Sequence, residues 1–123
     1  MIAGVGTDLC SIARIEHACQ SEKFRHRVFV EEELDYASGK PTYFAHLAAC
    51  FAAREAFAKA TGIGLSCLGL KSVYVSHADC GRPVLKLDAD AMQLKPFLSG
   101  RFHLSLSHEA GMALAFIIYE EEA

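Results

Sequence analysis

The chain has 123 residues, a formal net charge of −3, and 52% hydrophobic against 22% charged residues. These values suit one soluble globular domain, residues 1–123, with a modest core, and the negative balance argues against general nucleic-acid affinity. No apolar run approaches the roughly 20 residues that span a bilayer, and no basic region precedes the apolar first segment. Neither a membrane span nor a signal peptide is expected, and a cytoplasmic setting follows.

Cys10, Cys19, Cys50, Cys67 and Cys80 are odd in number and form no CxxC pair, which reads as reduced thiols. The histidines are scattered and complete no zinc site.

Taken in order, Ile2 to Leu9 reads as a strand with Gly4, Gly6 and Asp8 on one face. Glycines there mark close approach by another backbone or a ligand. Asp8 either projects from the cleared face or caps the next helix. Ser11 can cap a helix from Ile12 to about Gln20, with Ile12, Ile15 and Cys19 inward. Lys23 to Arg27 reads as a polar connector, and Phe29 to Ala37 as a short helix with an acidic first turn of Glu31, Glu32 and Glu33. Ser38 to Pro41 breaks it. Arg14, Lys23, Arg25 and Arg27 form a basic stretch, either a plain solvated surface or a docking face for an acidic partner.

Tyr43 to Gly64 reads as one long helix closed by a glycine turn. Phe44, Leu47, Ala48, Phe51 and Ala58 form an apolar stripe with Glu55 in its middle and Lys59 one turn on. A carboxylate so placed must be paired, protonated or bound to a cation. Two readings stand: a Glu55–Lys59 ion pair at the favourable i,i+4 spacing, or a metal ligand beside a phosphate-binding lysine. Gly62 and Gly64 suit a left-handed cap and also leave backbone N–H groups accessible to phosphate.

Lys71 to His77 and Val84 to Leu87 read as strands around a turn. Asp88 to Leu94 reads as a short helix ended by Pro96. Phe102, Leu104 and Leu106 alternate with His103, Ser105 and Ser107 as a half-buried strand. Met112 to Tyr119 is apolar on both faces, hence central or at a subunit contact. The acidic tail is expected to fray. Strands outnumber helices, and the economical fold is α+β, an antiparallel sheet wrapped against one long helix. Phe57 lies on the side of that helix opposite Phe51, which makes association plausible.

Three segments together carry a family resemblance: Gly4-Val5-Gly6-Thr7-Asp8-Leu9, the run Phe51 to Ala60 that holds Glu55 and Lys59, and His103-Leu104-Ser105-Leu106-Ser107-His108. In their order and spacing the chain resembles the small 4′-phosphopantetheinyl transferases of the holo-acyl-carrier-protein synthase type over nearly its whole length. Phe29 to Tyr36 and Gly81-Arg82-Pro83 resemble that family's intervening pieces.

The resemblance implies transfer of the phosphopantetheine arm of coenzyme A onto a serine of an acyl carrier protein, usually for fatty-acid synthesis, with release of adenosine 3′,5′-bisphosphate. It implies Asp8 and Glu55 as ligands of Mg²⁺ (or Mn²⁺), a hard cation that takes one or two carboxylates with substrate phosphates, and Lys59 as the residue neutralising phosphate charge. The serine proton would go to Glu55 or to a metal-bound water. His108, from a neighbouring subunit, with Ser107, Gly62 and Gly64, would hold coenzyme A. Arg14, Lys23 and Arg27 would meet the acidic carrier. The assembly implied is a homotrimer with each active site between two subunits. Two residues depart from the pattern: Cys50 stands where many relatives carry an arginine that reaches a coenzyme A phosphate, and Glu109 follows His108 where serine or threonine is frequent. These departures favour a competing reading, a non-catalytic subunit that binds carrier or coenzyme A. A small acyl-CoA thioesterase on a similar scaffold is a second alternative, distinguished by activity in chelator.

Overall fold

The computed structural model describes residues 1–122. The first strand, β1 (Ile2–Ser11), runs two residues beyond expectation and ends where the Ser11 hydroxyl accepts from the Arg14 N–H at 3.2 Å, capping helix α1 (Ile12–Ala18). Asp8 therefore does not cap that helix.

The expected polar connector is instead a helix, α2 (Glu22–Val28). Ser21 caps it, its hydroxyl accepting from Phe24 N–H, and Val28 and Phe29 are buried behind it. One buried turn decides its state, against which polar composition is a weak signal. Helix α3 (Glu31–Ala37) follows as expected, and then the long helix α4 (Tyr43–Thr61). Gly62, at φ +80°, ends α4 in the left-handed cap, its N–H donating to the Ala58 carbonyl. A further short helix, α5 (Leu65–Leu68), is not apparent from the periodicity.

Strands β2 (Val73–His77) and β3 (Pro83–Leu87) form an antiparallel pair of their own. The helix expected at Asp88 to Leu94 is displaced to a 3₁₀ turn, Met92–Phe97, with Pro96 inside it. The Asp88 carboxylate accepts from Asp90 N–H and holds a turn where the helix was to start. Strands β4 (Arg101–Glu109) and β5 (Met112–Glu120) complete a three-stranded antiparallel sheet in the order β1-β5-β4. The doubly apolar β5 is its central strand, as expected. The architecture is α+β with a sheet against one long helix; the sheet is split three and two, and five strands match five α-helices rather than outnumbering them.

Helix α4 lies on the sheet over Gly4 and Gly6. A Cβ added at Gly4 would sit 1.8 Å from the Ala60 carbonyl oxygen, and one at Gly6 1.9 Å from that of Ala56. The glycines, with alanines 52, 53, 56 and 60 on α4, let helix and strand backbones meet. The buried face of α4 is much wider than the stripe read from sequence: Ala45, Leu47, Ala52, Ala56 and Phe57 are buried, while Phe44, Phe51 and Ala58 are only half-buried. Phe57 is covered within the chain by Phe97 and Phe102, so it supplies no reason for association.

One core feature has little sequence signal. Arg54 is fully buried and donates through Nη1 and Nη2 to Glu33 at 2.9 and 2.6 Å and through Nε to the Leu70 carbonyl at 2.6 Å. Glu33 also accepts from Val30 N–H and Val75 N–H, both at 3.0 Å. This saturated pair ties α3, α4 and β2 together, as a buried ion pair requires.

Candidate active site

The middle of β1 and the C-terminal half of α4 bring Asp8, Glu55 and Lys59 together. Asp8 is on the face of β1 that Gly4 and Gly6 clear for α4, opposite Ala115 in the sheet register. Glu55 turns toward it from the helix. Burial, then the hydrogen bond that protonated Glu55 donates to the Asp8 carboxylate, then that carboxylate's negative charge, lifts the Glu55 carboxyl to about 7. The two acids therefore share a proton near neutrality or need a cation between them.

Asp8 shows the same need. Its Oδ1 lies 3.3 Å from Lys59 Nζ, while its Oδ2 is buried without a hydrogen-bond partner. Lys59 also donates to the Thr7 carbonyl at 2.9 Å. The sequence-based ion pair is thus redrawn: Lys59 turns to β1 and not to Glu55. Its side chain stays 58% exposed and free to meet an anion. Burial and the charges of Asp8 and Glu55 push the neighbouring Cys10 thiol up to about 11, so it stays protonated.

A buried, orphaned carboxylate oxygen beside a second carboxyl of raised proton affinity fits a hard divalent cation. The described residues contain no cluster of three or more metal-ligating side chains. Two carboxylates suit Mg²⁺, which keeps waters and takes substrate phosphates for its other positions. A cavity of about 200 Å³ opens at this pair, walled by Phe51, Phe24, Ile15 and Arg14. Arg14 thus reaches the acidic cavity itself; Lys23 and Arg27 are exposed on α2.

Ser107 and His108 do not join this group. They line a separate cavity of about 210 Å³ together with Tyr36, His46 and His77. On α4, Ala45, His46 and Ala49 face that cavity, whereas Phe51 and Glu55 face the acidic one, roughly 150° around the helix at about 100° per residue. The two cavities therefore lie on opposite sides of α4. His46 and His77 are additional lining residues that sequence reading missed; their positions, 46 and 77, are joined only by tertiary packing. Gly62 and Gly64 are exposed just beyond Lys59, Gly64 leading into α5. Cys50 is buried against Glu33 and Arg54 and lines neither cavity; burial holds its thiol well above the usual range. Glu109 is exposed at the end of β4 and lines neither.

A family model described as the 4′-phosphopantetheinyl transferase superfamily matches residues 4–117. The chain belongs to this superfamily. Within it, the holo-[acyl-carrier-protein] synthase of Treponema denticola is 42% identical over 98% of this chain and 99% of its own. That of Halothermothrix orenii is 36% identical over 98% and 99%. Among solved structures, the holo-[acyl-carrier-protein] synthase of Neisseria meningitidis superposes with a TM-score of 0.85 at 33% identity, covering 98% of this chain and 100% of the other. The Bacillus anthracis synthase, solved in complex with CoA (3′,5′-ADP), gives 0.82 at 30% identity over 99% of both chains. The resemblance seen in the three motifs thus extends to the whole fold, and the chain is an enzyme of the holo-acyl-carrier-protein synthase type.

Proposed function

We propose that this chain, as one 123-residue domain, transfers 4′-phosphopantetheine from coenzyme A to a serine hydroxyl of an apo acyl carrier protein in a reaction that requires Mg²⁺ or Mn²⁺ and releases adenosine 3′,5′-bisphosphate. The observation that carries the reading is the Asp8–Glu55 pair, with its orphaned buried oxygen and its carboxyl at about 7, one helical turn from an exposed lysine.

Asp8 and Glu55 would hold the cation, which supplies charge neutralisation at a pyrophosphate. The chain's own residues do the rest. Lys59, pivoting from Asp8, offers an ammonium to the phosphate that gains charge as the arm departs. The serine proton would go to Glu55 or to a water at the same site. Gly62 and Gly64, next to Lys59, leave backbone accessible to the same phosphates, and Ser107 and His108 offer donors to the nucleotide end. Arg14 at the rim of the acidic cavity, with Lys23 and Arg27 on α2, presents a basic face to an acidic carrier. The free cysteines suit a reducing, cytoplasmic compartment, and the modified carrier would serve fatty-acid synthesis.

A homotrimer is the assembly proposed. The sheet face away from α4 exposes Val5 by 53%, Leu9 by 62% and Phe116 by 37%, a contiguous apolar surface in register across β1 and β5. Packing copies through it would bring the histidine cavity of one chain toward the acidic cavity of the next and unite what α4 separates.

The test is the intact mass of an apo acyl carrier protein after incubation with this protein and coenzyme A, with Mg²⁺ or with EDTA, at low and high salt. A gain of one phosphopantetheine unit only with metal, slower at high salt because the basic face is screened, is the expected result. No gain with metal present would favour the non-catalytic subunit. Turnover that persists in EDTA would remove the metal role of Asp8 and Glu55, and a salt-independent rate would remove the carrier role of Arg14, Lys23 and Arg27.

A further inference from the structure

The cavity between α3, α4, β2 and β4 holds three imidazoles that the reaction as described leaves largely unused. His77 stacks flat on Tyr36, with ring centroids 3.6 Å apart and planes 7° apart, and His46 meets the same ring edge-on at 5.3 Å. His108 lines the opposite wall from β4. Tyr36 therefore fixes two of the three rings in plane and position, and among the described residues none of the three makes a side-chain hydrogen bond to another protein group. Apolar walls from Ala45, Ala49 and Leu106 set them in partly dry surroundings.

The charge of this cavity depends on those rings. No arginine side chain lines it, and Cys50, one turn along α4 from His46, is buried in the core. The nearby fixed charges are Lys40, over the Tyr36 ring at 4.1 Å, and Glu32, which accepts from the Ser76 hydroxyl. Burial, then Lys40 and the other imidazoles, depresses His46; burial and Lys40, opposed by Glu32, depress His77. His46 and His77 are thus tilted toward their neutral forms while the cavity is unliganded. A phosphate dianion placed among them would favour their protonated forms, so that each ring becomes a charged donor as it binds.

We propose that His46 and His77 join His108 as a phosphate-binding wall for the phosphomonoester of the coenzyme A nucleotide, and that this wall grips its ligand by taking up protons. This rests on the transferase reading given above and assigns to two further residues the cationic role that no arginine fills here. Binding then tightens as pH falls, and the protein becomes a transferase whose nucleotide affinity is set by imidazole protonation rather than by a permanent charge.

Calorimetric titration of the full chain with adenosine 3′,5′-bisphosphate, in two buffers of different ionisation heat, reads affinity and proton uptake together. Wild type should take up protons on binding and gain at least about threefold in affinity per pH unit from about pH 8 to about pH 6, each full proton taken up contributing about tenfold per unit. The ligand's own second phosphate ionisation, near pH 6, opposes this gain but is common to every variant. The double variant His46→Gln, His77→Gln should lose most of the proton uptake and about tenfold or more of the affinity near pH 6. His46→Arg should bind tightly near pH 8 with reduced uptake, since a guanidinium stays charged. Equal affinity and uptake in wild type and the double variant would overturn the proposal, as would an unchanged pH slope in His46→Arg. Metal-dependent transfer to the carrier by wild type separates the two failures. If transfer occurs while the histidine variants behave as wild type, only the wall is wrong; if wild type neither binds the nucleotide nor transfers, the transferase reading fails first and this proposal with it.

Discussion

At the residue scale, the raised Glu55 carboxyl sets the expected response of the protein to pH and to metal. Its carboxyl rises from an ordinary 4.5 to about 7 on folding, chiefly through burial and then through Asp8. A carboxyl raised on folding contributes stability that is present below the unfolded value and is lost as pH rises through the folded value. Between about pH 4.5 and about pH 7 the metal-free protein should therefore lose thermal stability, and Glu55→Gln, which keeps a neutral donor toward Asp8, should lose less. Thermal melts across that range check this; parallel curves for the two proteins would mean that Glu55 is not raised. Added Mg²⁺ should raise the midpoint of wild type at neutral pH and leave that of the variant nearly unchanged. Transfer by Glu55→Gln should fall by about a hundredfold or more with the fold retained. Sequence reading singled out Glu55 because a lone carboxylate on an apolar stripe is costly. Of its two readings for Lys59, the Glu55 ion pair does not form, because i,i+4 spacing ranks neighbours along the helix and is silent about a strand laid across it.

At the scale of elements, the contact of α4 with β1 places the site. Asp8 meets Glu55 because Gly4 and Gly6 let α4 approach until backbone atoms touch where side chains would stand. In Gly6→Ala the added Cβ would be 1.9 Å from the Ala56 carbonyl oxygen and 2.8 Å from the Ala60 nitrogen, both backbone atoms that cannot swing aside. The helix must lift from the strand, at a cost of about 3 kcal/mol or more. Urea unfolding should show that loss together with weakened metal binding, and a variant of wild-type stability would mean that strand and helix are not in contact at Gly6. The glycine face was legible in sequence, since two glycines at period two leave a bare strip. The helix α2 and the displaced 3₁₀ turn were not, because each is decided by a single buried turn or by one Asp88 carboxylate accepting a backbone N–H.

At the scale of the whole molecule, the question is how many copies make one site. The expectation of association rested in part on Phe57, which proves to be enclosed by its own chain. The apolar outer face of the sheet is the surface that calls for a partner. Phe116, in the central strand opposite Thr7 and Ser105, lies in the middle of it. Light scattering coupled to size exclusion should give wild type the mass of three chains. Phe116→Glu should give that of one, with its helical signal intact and transfer reduced by about a hundredfold or more, if the proposed sites are completed between chains. A wild-type protein that is fully active as a single chain would refute the shared site. Among the described residues no helix is long and apolar enough to cross a membrane.

The sequence alone determined the α+β class, the bare glycine strip, the long helix with its misplaced carboxylate, the central position of β5 and, through three motifs, the family. These are local or periodic properties, and periodicity is set by backbone geometry that every residue shares. Only the tertiary structure decided that Lys59 leans on Asp8, that Arg54 and Glu33 form a buried pair, that Cys50 is walled off from both cavities, and that His46, His77 and His108 face one space. Each of these joins residues far apart in the chain or excludes a residue from a place its motif suggested. Such pairings follow from which faces the packed elements bury, which no spacing along the chain records.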